Sequence, residues 1–313
     1  MSEILTAAFL VPLFTAGVRM SVPLIFGSVG DVVSERSGVM NIGLEGEMLV
    51  SALISFMAAY HTGSLFIGIL AGGMAGLAGA LLIAFWGVSR KQDQSVVGIM
   101  FNIFALGFTN FLYRAVYGVS TDKIKVDILK NIEIPLLSKI PFIGDIFFKH
   151  NLLVYCAFAA AAVVWFLLRY TNLGLKVNAA GENPKAAAAA GIDVVKIRYK
   201  IYMFSGFMAG SGGAFLSCGI VGTFTENMSS GRGFICLAIT ILARWNPVFA
   251  VCAAFMFGTV EALQLRLQAL GSALPYQFFV ALPYGVTLLS LVIFGRNIHA
   301  PGYLGQIYNK ESR

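Results

Sequence analysis

"NAAGENPKAAAAAGIDVVKIRYK", from Asn178 to Lys200, is the wettest long stretch of a chain that is otherwise mostly oil. Its local chemistry spells a short helix. Asn183 suits an N-cap, Pro184 suits the first helical position because its missing N–H would be unpaired there anyway, and Gly191 can take the left-handed conformation that ends a helix. A helix from Pro184 to Ala190 is only about 10 Å long, too short to cross a bilayer and too short to persist alone in water. Asp193 caps the next helix, whose Lys196, Arg198 and Lys200 mark a membrane boundary before an apolar run begins. Two readings stay open from composition alone: a linker helix lying on a bundle, or a docking helix whose small side chains let a partner close around it.

Outward from this break the chain is apolar. Hydrophobic residues make up 58% and charged residues only 12%, with mean hydropathy +0.80, whereas soluble domains carry roughly 25% charged residues. A soluble protein is excluded. Apolar runs of about twenty residues, as a bilayer core of about 30 Å demands, recur too often for a single anchor. The expected fold is all-α: a polytopic membrane bundle forming one domain over residues 1–313. Ten candidate segments run over residues 3–18, 20–34, 40–60, 64–88, 95–117, 151–169, 199–221, 232–244, 247–267 and 277–295. Pro12 and Gly17 are expected to interrupt the first, while the second and eighth are short enough to be re-entrant or broken. "MSEILTAAFLVPLF" carries an acidic residue where a secretory leader would be basic, so it reads as a retained helix. Small residues at every fourth position, Gly68, Gly72, Gly76 and Ala80 or Gly206 and Gly210, predict close helix packing in lipid.

Lysine and arginine in short loops set the orientation. The stretch of about 170–198 is basic and goes to the cytoplasm, with Arg90, Lys91, Arg244 and the tail. The linker of about 118–150 is nearly balanced and fits the outer face. Ten crossings then put both termini in the cytoplasm. The net charge of +7 is scattered among membrane-flanking loops rather than gathered on one face, which excludes a nucleic-acid partner and leaves the lipid bilayer. Cys156, Cys218, Cys236 and Cys252 sit in apolar runs without pairing or metal-binding spacings and read as small packing residues; no metal is expected. No G-x-x-x-x-G-K followed by Ser or Thr, no H-E-x-x-H and no G-x-S-x-G occurs, so the chain is not expected to be an enzyme and energy must come from elsewhere.

Three blocks carry a resemblance: "SERSGVMNIGLEGEML" (Ser34 to Leu49), "GENPKAAAAAGI" (Gly181 to Ile192) and "GRGFICLAITILARWNP" (Gly231 to Pro247). In order and spacing they resemble the permease subunits of bacterial ATP-binding-cassette importers of the branched-chain-amino-acid and simple-sugar type, and most of all the nucleoside-type subgroup. The resemblance implies the fold of a type II importer permease in the bacterial inner membrane. It implies a cytoplasmic coupling helix built from Gly181, Glu182, Asn183, Pro184, Lys185, Ala186, Ala187, Ala188, Ala190 and Gly191, with Glu182 and Lys185 orienting the docking and alanines filling a cleft. It further implies a separate ATPase that binds ATP and Mg, a second and related permease forming a heterodimer, and an extracytoplasmic binding lipoprotein or periplasmic protein. Nucleoside transport leads; a simple sugar or riboflavin is the alternative within the family, and an ion-driven secondary carrier is the alternative outside it.

Ionisable and polar groups inside apolar segments are candidates for the translocation path. Asn41, Glu45 and Glu47 stand where Gly38, Gly43 and Gly46 permit a helix break; equally, the glutamates can cap a helix. Asn102 on the fifth segment, and Glu261 with Gln264 on one face of the ninth, either line the path or bond neighbouring helices together. Arg232 and Glu226 fall in a predicted outer loop where rim charges steer encounters with a binding protein.

Overall fold

The computed structural model describes residues 7–118, 124–135, 137–269, 276–294 and 299–308. Its centre is α1, Ala7–Arg36, a helix of 30 residues. From Ser21 to Glu35 every residue is buried, the polar Ser21, Ser28, Asp31, Ser34 and Glu35 among them, so this helix is enclosed by its neighbours on all sides. Around it stand α2 (Leu44–Thr62), α3 (Leu65–Ala84), α4 (Gln94–Tyr117), α5 (Ile143–Phe147), α6 (Leu152–Tyr170), α7 (Asn172–Glu182), α8 (Pro184–Ala189), α9 (Val194–Ala214), α10 (Arg232–Leu242), α11 (Pro247–Ala269) and α12 (Tyr276–Phe294). Turns of π-helix extend α3 to Ser89 and α9 to Val221. Six of the described helices are long and apolar enough to cross a membrane: those over 9–36, 65–89, 94–117, 152–170, 194–221 and 247–269.

The expectation of ten full crossings is corrected at two places. From Ala7 onward, the expected segments 3–18 and 20–34 are one helix, with Pro12 and Pro23 inside it. Gly17 does not break α1; it is the notch where α11 crosses, for a Cβ there would lie 2.6 Å from Thr259 Oγ1. The eighth segment is the 11-residue α10, about 16 Å long, half a bilayer core. It runs beside the second half of α1: Cys236 Sγ faces Leu24 O at 3.6 Å, Thr240 Oγ1 faces Ser28 O at 3.4 Å, and Trp245 reaches Glu35.

The glycine ladders meet each other as expected. A Cβ on Gly76 would collide with Gly206 O, and one on Gly210 would lie 2.6 Å from Gly72 O, so α3 and α9 touch backbone to backbone. Cys218 and Cys236 are buried as packing residues would be, but Cys156 and Cys252 are exposed.

One end of the bundle carries a hairpin of β1 (Asn131–Glu133) and β2 (Lys149–Asn151), antiparallel with Ile132 opposite His150, an element the all-α reading omitted. Thr15 Oγ1, early in α1, donates to Asp145 O at 3.1 Å at this end. The other end carries α8, the end of α1 and the stretch 299–308. Residues 1–6 and 309–313, on which the placing of the termini depends, lie outside the described residues; α1 starts at the end opposite the 299–308 stretch.

Candidate functional site

The α8 platform follows its sequence closely. Asn183 Oδ1 accepts the Ala186 N–H at 3.0 Å, Pro184 takes the first helical position, and Gly191 has φ +82°. Asp193 Oδ1 accepts the Lys196 N–H at 3.1 Å and starts α9. Pro184 and Ala187 are buried, and Ala188 is half-buried against a small cluster of Ala180, Ala187 and Val194. Lys185, Ala186, Ala189 and Ala190 are exposed, giving a smooth, small-residue outer face. Ala189, absent from the sequence-derived set, belongs to that face; the helical phase of the buried Pro184 and Ala187 is the signal that places it.

Three chain segments hold this platform. Gly181 lies so close to Arg36 O that a Cβ there would collide with it, and Gly181 O accepts the Tyr303 N–H at 2.8 Å. Gly38, at φ +81°, accepts the Gly305 N–H at 3.1 Å through its carbonyl. Glu182 Oε2 accepts the Gly302 N–H at 3.3 Å. Arg198, 1% exposed, donates from NH1 to Gln306 O at 3.0 Å and stacks on the Tyr308 ring at 6.0 Å. The stretch 300–308 is therefore a strap across the base of α7 and α8. Arg36 completes the link: its Nε donates to Trp245 O at 2.7 Å and its NH1 to Asn178 Oδ1 at 3.4 Å, while Trp245 Nε1 donates to Glu35. Sequence reasoning missed Arg36, Arg198 and Trp245. Arg36 and Trp245 stand inside two of the three motif blocks, which was the available signal.

The same blocks meet again in mid-bundle. Glu45 Oε1 accepts Ser229 Oγ–H at 2.6 Å and Gly231 N–H at 2.7 Å, and Oε2 accepts Gly233 N–H at 2.7 Å. These are the orphan donors of α10, and a carboxylate there also opposes the positive end of the helix dipole. Asn41 Nδ2 donates to both oxygens of Glu47 at 3.1 Å, all of it fully buried. Asn102 clasps the turn before α2, accepting Gly46 N–H at 2.8 Å and donating to Ile42 O at 2.9 Å. Glu45 and Asn102 thus each bond a distant chain segment, while the Glu47 carboxylate, among the described residues, bonds only its neighbour Asn41. Glu261 pairs with Arg232 beside a cavity of about 140 Å³ that Gln264 also lines. Arg232 is thus turned inward, its side chain 15% exposed, and is not a rim charge. Glu226 is exposed and pairs with Arg114 at 2.6 Å.

One long face stays uncovered. On α4 only Gln94, Gly98, Ala105 and Thr109 are buried. Phe104 is 56% exposed, its ring stacked on Phe108 at 5.4 Å, and Gly107 faces open space.

Comparison with known proteins decides the family. The family described as "Branched-chain amino acid transport system / permease component" matches residues 13–293. The chain belongs to this permease family. The permease is 38% identical over 304 residues to the guanosine ABC transporter permease protein NupQ of Bacillus subtilis, covering 93% of this chain and 94% of that one. It is 34% identical to the nucleoside ABC transporter permease protein NupC of Lactococcus lactis, with the same coverage of 93% and 94%. It is also 35% identical to TsgC13 of Haloferax volcanii, named as a candidate glucose ABC transporter permease, covering 85% and 81%. In fold the permease is similar to a solved chain of a candidate metal-chelate type ABC transporter in an inward-facing conformation, at TM-score 0.52 and 15% identity, covering 94% of this chain and 88% of that one. With its apolar helices, membership makes it a multi-pass protein of the bacterial inner membrane and a transport subunit.

Proposed function

We propose that the permease imports a nucleoside and forms half of the translocation path, driven by a separate ATPase that holds ATP and Mg and seats on α8. The single observation carrying this reading is the outward face of α8: Lys185, Ala186, Ala189 and Ala190 exposed on a helix whose other face is fixed to α1, α9 and the strap. A short helix so held transmits a push without bending, because the links through Gly181 and Arg36 lead directly into α1 and the turn before α11. The α8 end then faces the cytoplasm, and the hairpin end faces the binding protein, with Glu226 at its rim. The whole chain acts as one permease domain.

The open face of α4 supports a second, related permease opposite it, with the path between the two. Phe104 and Phe108 offer rings to a flat base, and Glu261 with Gln264 border the cavity at mid-bundle. The nucleoside assignment leans on the likeness to NupQ and NupC; the likeness to TsgC13 keeps a simple sugar as the second reading.

The test is ATP-dependent uptake of labelled guanosine beside labelled glucose in cells lacking the gene, and in cells carrying it back as the native form or as Ala189→Arg. Guanosine uptake restored by the native gene and lost in a normally inserted Ala189→Arg permease that no longer copurifies an ATPase supports the reading. Restored glucose uptake alone moves the substrate to the sugar. Full uptake with Ala189→Arg refutes docking through α8.

A further inference from the structure

We infer that the groove between α6, α7 and α9 is a binding site for an anionic phospholipid. The groove encloses about 590 Å³. Its floor is apolar, built from Val33 of α1, Val164, Leu167 and Leu168 of α6, and Ile201 and Phe204 of α9. Its rim is basic: Lys176 of α7 and Lys196 and Lys200 of α9 all border it. Asp193 is the opposing charge at the rim, and it pairs with Lys196 at 3.1 Å. Lys176 and Lys200 form no ion pair among the described residues. Three lysines against one aspartate leave the rim two charges positive.

The groove stands at the boundary between lipid and water. At the end of α6, Arg169 lies over the Trp165 ring at 5.9 Å and the Tyr170 ring at 5.8 Å, the aromatic and basic anchor that marks such a boundary. Beside it α7 exposes Leu173 by 63% and Leu175 by 68% while burying Gly174 and Val177, so α7 lies in the interface with apolar side chains toward the acyl layer. From Lys196 at the rim to Phe204 on the floor, α9 advances eight residues, about 12 Å into the apolar layer. A water-soluble anion would use the rim and leave the floor empty, and a neutral lipid would use the floor and leave Lys176 and Lys200 without a partner. A ligand with a phosphate head and an acyl tail uses both, and basic pockets between helices on the cytoplasmic side take such headgroups. The groove wall also includes Ala190, Gly191 and Ile192, the residues leaving α8, so the lipid touches the exit of the platform helix.

Native mass spectrometry of the intact permease, purified in detergent, tests this with three probes at equal concentration: dioleoyl phosphatidylglycerol, dioleoyl phosphatidylcholine and glycerol 3-phosphate. Phosphatidylglycerol is expected to bind most tightly and glycerol 3-phosphate not at all. A lysine near an anionic headgroup contributes about fivefold in affinity, so Lys176→Gln with Lys200→Gln is expected to weaken phosphatidylglycerol by about 25-fold and leave phosphatidylcholine unchanged. Leu167→Trp, which fills the floor, is expected to weaken both lipids; Arg90→Gln, a basic residue outside the groove, is expected to weaken neither. Equal binding of the two lipids, an unaffected lysine double variant, or an equal loss in Arg90→Gln overturns the proposal. So does glycerol 3-phosphate binding as tightly as the lipid, which would make the rim a free-anion site.

Discussion

Replacing Glu45 with Ala removes the carboxylate that closes the start of α10. Two backbone donors, the half-buried Gly231 N–H and the buried Gly233 N–H, each 2.7 Å from Glu45, lose their acceptor. The Ser229 hydroxyl can rotate to another partner. Each orphaned donor costs about 1–3 kcal/mol, so the start of α10 should loosen by about 2–6 kcal/mol. Glu45→Gln keeps one carbonyl oxygen and should cost about half as much. Cys236, fully buried in the first turns of α10, is the reporter. With the exposed Cys156 and Cys252 replaced by Ser, labelling of Cys236 by a membrane-permeant maleimide follows local opening, and the likewise buried Cys218, on the turn extending α9, is the internal standard. Even the lower figure of about 2 kcal/mol raises the open fraction about 30-fold. Cys236 in Glu45→Ala should therefore label at least about tenfold faster relative to Cys218. A rate within twofold of the native chain would refute the capping argument and return Glu45 to the translocation path.

Gly210→Val should destabilise the permease by about 1–3 kcal/mol, because the added carbons meet Gly72 O and Gly73 O across the α3–α9 contact; Gly107→Val, with nothing within 4 Å, should leave thermal unfolding in detergent unchanged, and equal melting of the two would contradict the notch. Arg198→Ala should free the strap, read as faster hydrogen exchange at the Tyr303 and Gly305 amides with no change in the α3–α9 core; unchanged exchange would mean the backbone bonds to Gly181 and Gly38 suffice alone. His150, in the hairpin outside the spans, has its basicity lowered by burial and by nearby Arg19, against the opposing bond from its ring to Ile146 O at 2.7 Å. A histidine less basic when folded takes up its proton first in the unfolded state, so stability should fall as pH drops through about 6.5. His150→Asn should flatten that fall, and a melting curve with the same pH slope in both would exclude His150 as its source.

What the sequence made legible followed from chemistry local to a few residues. The start of α8, the caps at Asn183 and Asp193 and the left-handed Gly191 are decided by side chains within one helical turn and stand where they were expected, and the helix ends one residue early, at Ala189. The glycine ladders also carried true information, since spacing by four fixes a helix face. Crossing number was not legible, because Pro12 and Gly17 look like breakers in isolation and only the approach of α11 shows that Gly17 is a contact. The roles of Glu45, Asn41 and Asn102 were equally hidden: a buried polar group in an apolar run reads the same whether it binds cargo or a neighbouring backbone. The partner, 186 residues away for Gly231 and Glu45, leaves no trace in the local pattern.

The strap also sets a timetable. Residues 300–308 leave the ribosome after every described membrane helix, yet their amides at Gly302, Tyr303 and Gly305 bind Glu182 and Gly181 of α7 and Gly38 beyond α1. A nascent or prematurely stopped chain can insert every described helix and still lack the bonds that hold α7 and the end of α1 together.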